Sequence, residues 1–244
     1  MKLMGNENIA SKFSKQFFLG QVVSFCKITK FVSELTLIDM KRLIPFALSA
    51  LVFVGSVSCG NPAPKTTSPS FDEVIATRRS VRNYDASKSI SQEEITTLLT
   101  AVQEAPSWAN MEPTKYYVAI GEEKRAALLD MVGGNKERVI NAPVLIVSTF
   151  ERSRSGFFRG QPANEAGELW GAYDNGLSNA YLILKAREMG FDTLIMGMRD
   201  ADAIREEFEI PESEIILAVI SVGYRAEEPK RPERRAFDDV VKFF

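Results

Sequence analysis

The chain has 244 residues, 45% hydrophobic and 25% charged, enough for one globular domain with a sizeable core. It has no histidine and only two cysteines, Cys26 and Cys59, which excludes Ser-His-Asp and Cys-His catalytic groups, a zinc cluster and a disulfide framework. Of its 30 basic and 32 acidic residues, 7 and 3 lie in 1–59, leaving 23 and 29 beyond; that net charge of −6 argues against nucleic acid as a partner.

Residues 1–39 hold no clean helix or strand period and read as an over-long start or a leader. Met40-Lys41-Arg42 then precedes an apolar run, Leu43 to Gly55, and the small residues Ser56-Val57-Ser58 before Cys59. A positive start, a short apolar stretch and small residues describe a secretory signal over 40–59. The run is short for a membrane span. Cys59 after small residues resembles a bacterial lipoprotein signal, in which the cysteine is lipidated; the plainer alternative is an uncleaved anchor with an incidental cysteine. Residues 60–69 are rich in Pro, Ser and Thr and read as a tether. The folded domain is expected over 70–244, lipid-anchored at a bacterial cell envelope, or cytoplasmic if the signal is not used.

Within the domain, Ser70-Phe71-Asp72-Glu73 and Ser91-Gln92-Glu93-Glu94 are capping boxes, each opening a helix. The first predicts a helix through Thr77; the second is followed by Ile95, Leu98, Leu99 and Val102 at helical spacing. Lys115 to Ile120 reads as a strand, Glu122 to Val132 as a helix stopped by Gly133-Gly134, and Val144 to Phe150 as a central strand. Glu151 to Gln161 reads as a basic loop. Glu165 to Met189 reads as a long helix with Leu177, Ala180, Tyr181, Leu184 and Ala186 on its apolar face, capped by Gly190. Asp192 to Met196 and Ile215 to Val222 read as strands, and Phe237 to Phe244 as a final arm. Loose alternation of helices and strands implies an α/β or α+β layered domain.

Four segments are candidates for chemistry. Arg78-Arg79-Ser80-Val81-Arg82 offers forked cationic donors suited to a phosphate, the alternative being a solvated basic turn. Pro106 to Pro113 is a Pro-bounded polar loop whose Asn110 offers both a donor and an acceptor to a heterocycle edge, the alternative being an ordinary Asx turn. Gly197, after a short strand, allows close backbone approach to a flat ligand, although a plain loop has the same sequence. Arg231, Arg234 and Arg235 form a late basic segment. No dinucleotide-type glycine loop or Walker sequence occurs.

In order, Arg78 to Tyr84, Ala105 to Pro113, Asp174-Asn175-Gly176 through Gly190, Met196-Gly197, Val222-Gly223-Tyr224 and Arg234 to Val241 resemble the nitroreductase family of FMN-dependent oxidoreductases. The resemblance implies a three-layer α/β/α sandwich of the α+β class, with a mixed, largely antiparallel sheet. It implies a homodimer with FMN at the subunit interface and a C-terminal arm crossing to the partner. It implies that Arg78, Arg79 and Ser80 hold the phosphate and ribityl chain, and that Arg82 reaches the pyrimidine side. Pro106, Ser107 and Asn110 would line the ring edge, Met196 and Gly197 would face N5, and Arg234 would add a phosphate contact. No side chain is expected to be catalytic, and no metal is expected. Glu112 stands where the family more often has Gln, Thr114 replaces a common aromatic, and the Pro often seen before Met196 is missing. The implied activity is electron transfer from NAD(P)H through FMN to nitro compounds, quinones or similar acceptors. Other flavin chemistry on the same fold (reductive dehalogenation, flavin fragmentation) and a non-catalytic flavin-binding module remain open. A reduced nicotinamide donor is expected in the cytoplasm, which conflicts with an exported domain, and Lys41-Arg42 is also not a twin-arginine signal for export of a folded, FMN-loaded protein.

Overall fold

The computed structural model describes residues 68–244; the leader, the signal with Cys59 and most of the tether lie outside the described residues. Both capping boxes form. Ser70 accepts the Glu73 N–H while the Glu73 carboxylate takes the Ser70 N–H at 2.7 Å, opening α1 (Phe71–Thr77). Ser91 and Glu94 do the same for α2 (Gln92–Val102), which buries Ile95, Leu98 and Val102. There follow β1 (Thr114–Ala119), α3 (Glu122–Asp130), α4 (Lys136–Val139), β2 (Val144–Glu151), β3 (Phe157–Phe158), β4 (Gln161–Pro162) and α5 (Leu169–Glu188). The chain continues through β5 (Asp192–Met196), α6 (Ala201–Glu207), β6 (Glu214–Gly223) and α7 (Phe237–Val240).

The main sheet has the order β1-β2-β6-β5, with every neighbouring pair antiparallel. Outside β5, Ser80 bridges Thr193 in parallel and the Val81 N–H donates to the Thr193 carbonyl at 3.0 Å, so the sheet is mixed. Alternation along β2 divides the core in two. Leu145 and Val147 pack with Leu128, Leu129, Val139 and Ile204 from α3, α4 and α6. Val144 and Ile146 pack on the other face with Ile95, Leu98 and Val102 of α2 and Leu182 and Ala186 of α5. The result is the expected three-layer α+β sandwich. A bulge shifts the β2–β6 register between Ser148 and Thr149, so Ser148 faces Ala218 and Thr149 faces Ile216. Gly223 is required where β6 ends. A Cβ there would lie 2.6 Å from the Tyr84 ring and 2.8 Å from Pro143 Cδ.

Four expectations are corrected. Of the expected face of Leu177, Ala180, Tyr181, Leu184 and Ala186, only Ala186 is buried against the sheet: the buried residues of α5 are Gly171, Asp174, Asn175, Asn179, Leu182 and Ala186. Of the others, Leu177, Ala180 and Leu184 are half-buried and Tyr181 is 41% exposed, with Tyr173 beside them 59% exposed. Periodicity finds an apolar face without naming what covers it, and here the N-terminal half of the sheet face is polar because Ser148 and Tyr116 satisfy its amides. The segment 151–161 is not simply a loop, since Glu151 ends β2 and β3 and β4 pair as a small hairpin. The helix expected to reach Val132 ends at Asp130, and the one expected from Glu165 begins at Leu169.

Candidate functional site

The turn after α1 is held from two sides. Arg187 on α5 donates to Thr77 Oγ1 at 3.0 Å, and Arg225 donates to the Thr77 carbonyl at 3.2 Å. Arg225 also grips the buried Asp192 carboxylate through Nε at 2.7 Å and Nη2 at 2.5 Å. That bidentate pair, with Glu228, holds the Arg225 guanidinium protonated well above its ordinary range. Downstream, Tyr84 is buried against Ser221, hydroxyl to hydroxyl at 2.8 Å. Arg78, Arg79, Ser80 and Arg82 are thereby fixed as an extended segment parallel to β5.

The electrostatics of this segment call for an anion. Arg79 Nη1 reaches the Arg78 carbonyl at 2.6 Å, but its Nε is buried with no partner among the described residues. Burial, then the charges of Arg231 and Arg78, lower the Arg79 pKa, and Glu228 only partly offsets them. A phosphate monoester would supply both an acceptor and a compensating charge. The parallel direction carries Arg82 toward the Met196 end of β5, where Ile195 is 43% exposed. At Gly197 a Cβ would meet nothing within 4 Å, so the chain's own packing does not demand that glycine. Met196 itself is buried in the core. Arg234 bonds only to its own turn, at 3.4 Å to the Pro232 and Glu233 carbonyls; Arg231 is the late arginine whose charge bears on Arg79.

Pro106, Ser107 and Asn110 lie elsewhere. Their loop leads into β1, at the opposite edge of the sheet from the arginines. Within it Ala109, Asn110 and Glu112 have φ of 48°, 55° and 49°. The left-handed conformation costs a non-glycine residue about 1–2 kcal/mol, least for Asn. It is held by specific bonds. Ser107 Oγ accepts the Glu112 N–H at 2.9 Å, and Asn110 Nδ2 donates to Glu112 Oε1 at 2.9 Å. Arg154 Nε donates to the Met111 carbonyl, and the Trp108 N–H donates to the Asp174 carboxylate of α5 at 3.0 Å. A cleft of about 780 Å³ opens beside the loop along β1, lined in part by Leu99, Val102, Ser107, Glu112 and Tyr116. Asp174 by the loop and Arg187 by the arginines sit on one helix, about 20 Å apart at about 1.5 Å per residue. One chain therefore holds the two sets of candidate residues apart, at opposite edges of its sheet.

Residues 75–135 and 130–224 match the nitroreductase family. The chain belongs to that family. A Bacillus subtilis relative, YdgI, provisionally named an NAD(P)H nitroreductase, is 25% identical over 203 residues, 71% of this chain and 97% of its own. YodC of the same organism, with the same provisional name, is 28% identical over 188 residues, 67% of this chain and 93% of its own. Among solved structures, a provisionally named nitroreductase from Exiguobacterium sibiricum 255-15, in complex with FMN, is 26% identical with a TM-score of 0.65, covering 73% of this chain and 99% of that one. Local sequence signals do not single out Ile195 or the Arg187–Asp192–Arg225 cluster, and Asp174 enters only within the family-like segment Asp174-Asn175-Gly176. Ile195 reads as a core strand residue and Asp174 as one polar residue of a helix, and only tertiary placement sets them apart.

Proposed function

We propose that this nitroreductase-family chain is an FMN-dependent oxidoreductase that passes electrons from NAD(P)H to nitro compounds, quinones or similar acceptors. The observation that carries this is the arginine segment running along β5 toward Gly197, with Arg79 Nε buried and without a partner among the described residues. The provisional NAD(P)H nitroreductase names of the relatives and the FMN complex of a structural neighbour support it.

When bound, FMN supplies the acceptance and release of hydride. The chain's residues do the rest. Arg78, Arg79 and Ser80 hold the phosphate and ribityl chain. Arg82, exposed beyond them, favours negative charge on the pyrimidine side. The bare backbone at Gly197 lets the ring approach closely. Exposed Ile195 offers it an apolar surface. Hydride transfer asks for alignment rather than a side-chain base, which suits a chain without histidine.

The ring-edge residues Pro106, Ser107 and Asn110 come in this reading from a second copy, because one chain holds them at the other edge of its sheet. Exposed Tyr173 and Tyr181 on α5, exposed Phe71 and Ile75 on α1, and the exposed arm beyond Phe237 are the surfaces such a homodimer covers. The sequence over 40–59 supports a lipid anchor at Cys59; a Cys59→Ser variant would then leave the membrane fraction. The activity is tested by the absorbance of the purified full-length protein. Flavin bands that bleach under anaerobic NADH or NADPH support the reading, and a protein that stays colourless after added FMN sinks it.

A further inference from the structure

Asp174 is 1% exposed, and the Trp108 N–H, at 3.1 and 3.0 Å from its two oxygens, is its only hydrogen-bond donor among the described residues. A buried carboxylate with one neutral donor is costly for stability, and an apolar residue of similar size would be less so. What it does hold is the entry to the strained turn. Trp108 follows Ser107, whose hydroxyl accepts the Glu112 N–H, and precedes Ala109 and Asn110, both left-handed. Further carbonyl bonds run inside the turn, from the Asn110 N–H to Ser107 and from the Met111 N–H to Trp108. Arg154 pulls on Met111 from outside and is itself 48% exposed. The buried tie to rigid α5 is the Asp174 carboxylate.

We propose that Asp174 is a positioning residue: through the Trp108 N–H it fixes the 107–112 turn, and with it Asn110, in the conformation that meets the flavin edge. This rests on the FMN reading above. A turn released from Asp174 samples other conformations, and apparent FMN affinity falls in proportion to the population of the competent one.

The test compares full-length wild type, Asp174→Asn and Asp174→Leu by hydrogen exchange at the 105–113 backbone without FMN, and by FMN binding. Asn keeps an acceptor oxygen of the same reach; Leu keeps the volume and removes it. The Leu variant is expected to exchange faster at Trp108 and to bind FMN about tenfold more weakly, with the Asn variant close to wild type. A folded Leu variant with wild-type exchange and FMN affinity overturns the proposal, as does an Asn variant as impaired as Leu. If the Leu variant does not fold, the wild type alone decides. Its Trp108 amide should exchange about tenfold more slowly than that of Ala109, which finds no acceptor among the described residues; equal rates overturn the proposal. Should the wild type bind no FMN, the functional reading fails while the exchange arm still reads what Asp174 holds.

Discussion

The two edges of the central sheet are finished in different ways. Outside β5 the chain lays down its own segment, Ser80 against Thr193, and locks it with Tyr84 below and the Arg225–Asp192 pair above. Outside β1 no strand pairs among the described residues, and the approach is a left-handed turn tied to α5 and Arg154. The first edge is a cation surface built on regular pairing. The second is a polar rim built on strain and long-range bonds. Phosphate recognition needs charge and several donors, which a pre-formed extended segment supplies. Recognition of a ring edge needs one amide in one orientation, which a constrained turn supplies.

The contrast can be broken first at its best-buried ion pair. Asp192→Ala leaves Arg225 with a side chain 13% exposed and Arg187 without their carboxylate. Denaturant unfolding should show a loss of about 3–5 kcal/mol, and FMN binding should fall as the Thr77–Arg78 turn loosens. Next, Arg78→Ala should weaken FMN binding by about 10- to 100-fold, the worth of a charge-assisted bond, while leaving the melting temperature of the FMN-free protein nearly unchanged. Titration by flavin fluorescence reads the first and differential scanning calorimetry the second.

Two glycines sharpen the comparison. Gly223→Ala meets Tyr84 and Pro143 and should cost about 1–3 kcal/mol of stability. Gly197→Ala meets nothing, so stability should move by less than about 0.5 kcal/mol while FMN binding weakens. Equal stability losses would mean that Gly197 serves packing after all. The smallest effect belongs to Glu112→Gln, which keeps an acceptor for Asn110 but removes a negative charge beside the ring edge. The flavin midpoint potential, followed by spectroelectrochemistry, should rise modestly; a fall would place Glu112 away from the ring.

The β5 edge was largely legible in the sequence, because its signals are local. Two capping boxes set the helix starts, and the arginines sit within five consecutive residues. β-branched runs gave β2 and β6. The β1 edge was legible in its residues but not in its geometry. Nothing local says that Ala109 and Glu112 adopt positive φ, since neither is a residue that favours it. Their conformation comes from Asp174, Ser107 and Arg154, partners supplied by folding. The sheet-facing side of α5 was illegible for the same reason: Leu177 and Tyr181 have helical spacing, but which stripe meets the sheet depends on Ser148 and Tyr116 waiting there for Asn175 and Asn179.

In the proposed dimer the arginine edge of one chain and the turn of another complete one site. Subunit mixing tests this directly. An Arg78→Ala chain and a Ser107→Ala/Asn110→Ala chain, each deficient in FMN binding, are denatured, mixed and refolded together. In a mixed dimer the account predicts one site with both halves intact, so high-affinity FMN binding and NAD(P)H-driven bleaching should return in the mixture. If the mixture binds no better than the two variants alone, both halves act within one chain and the account is contradicted.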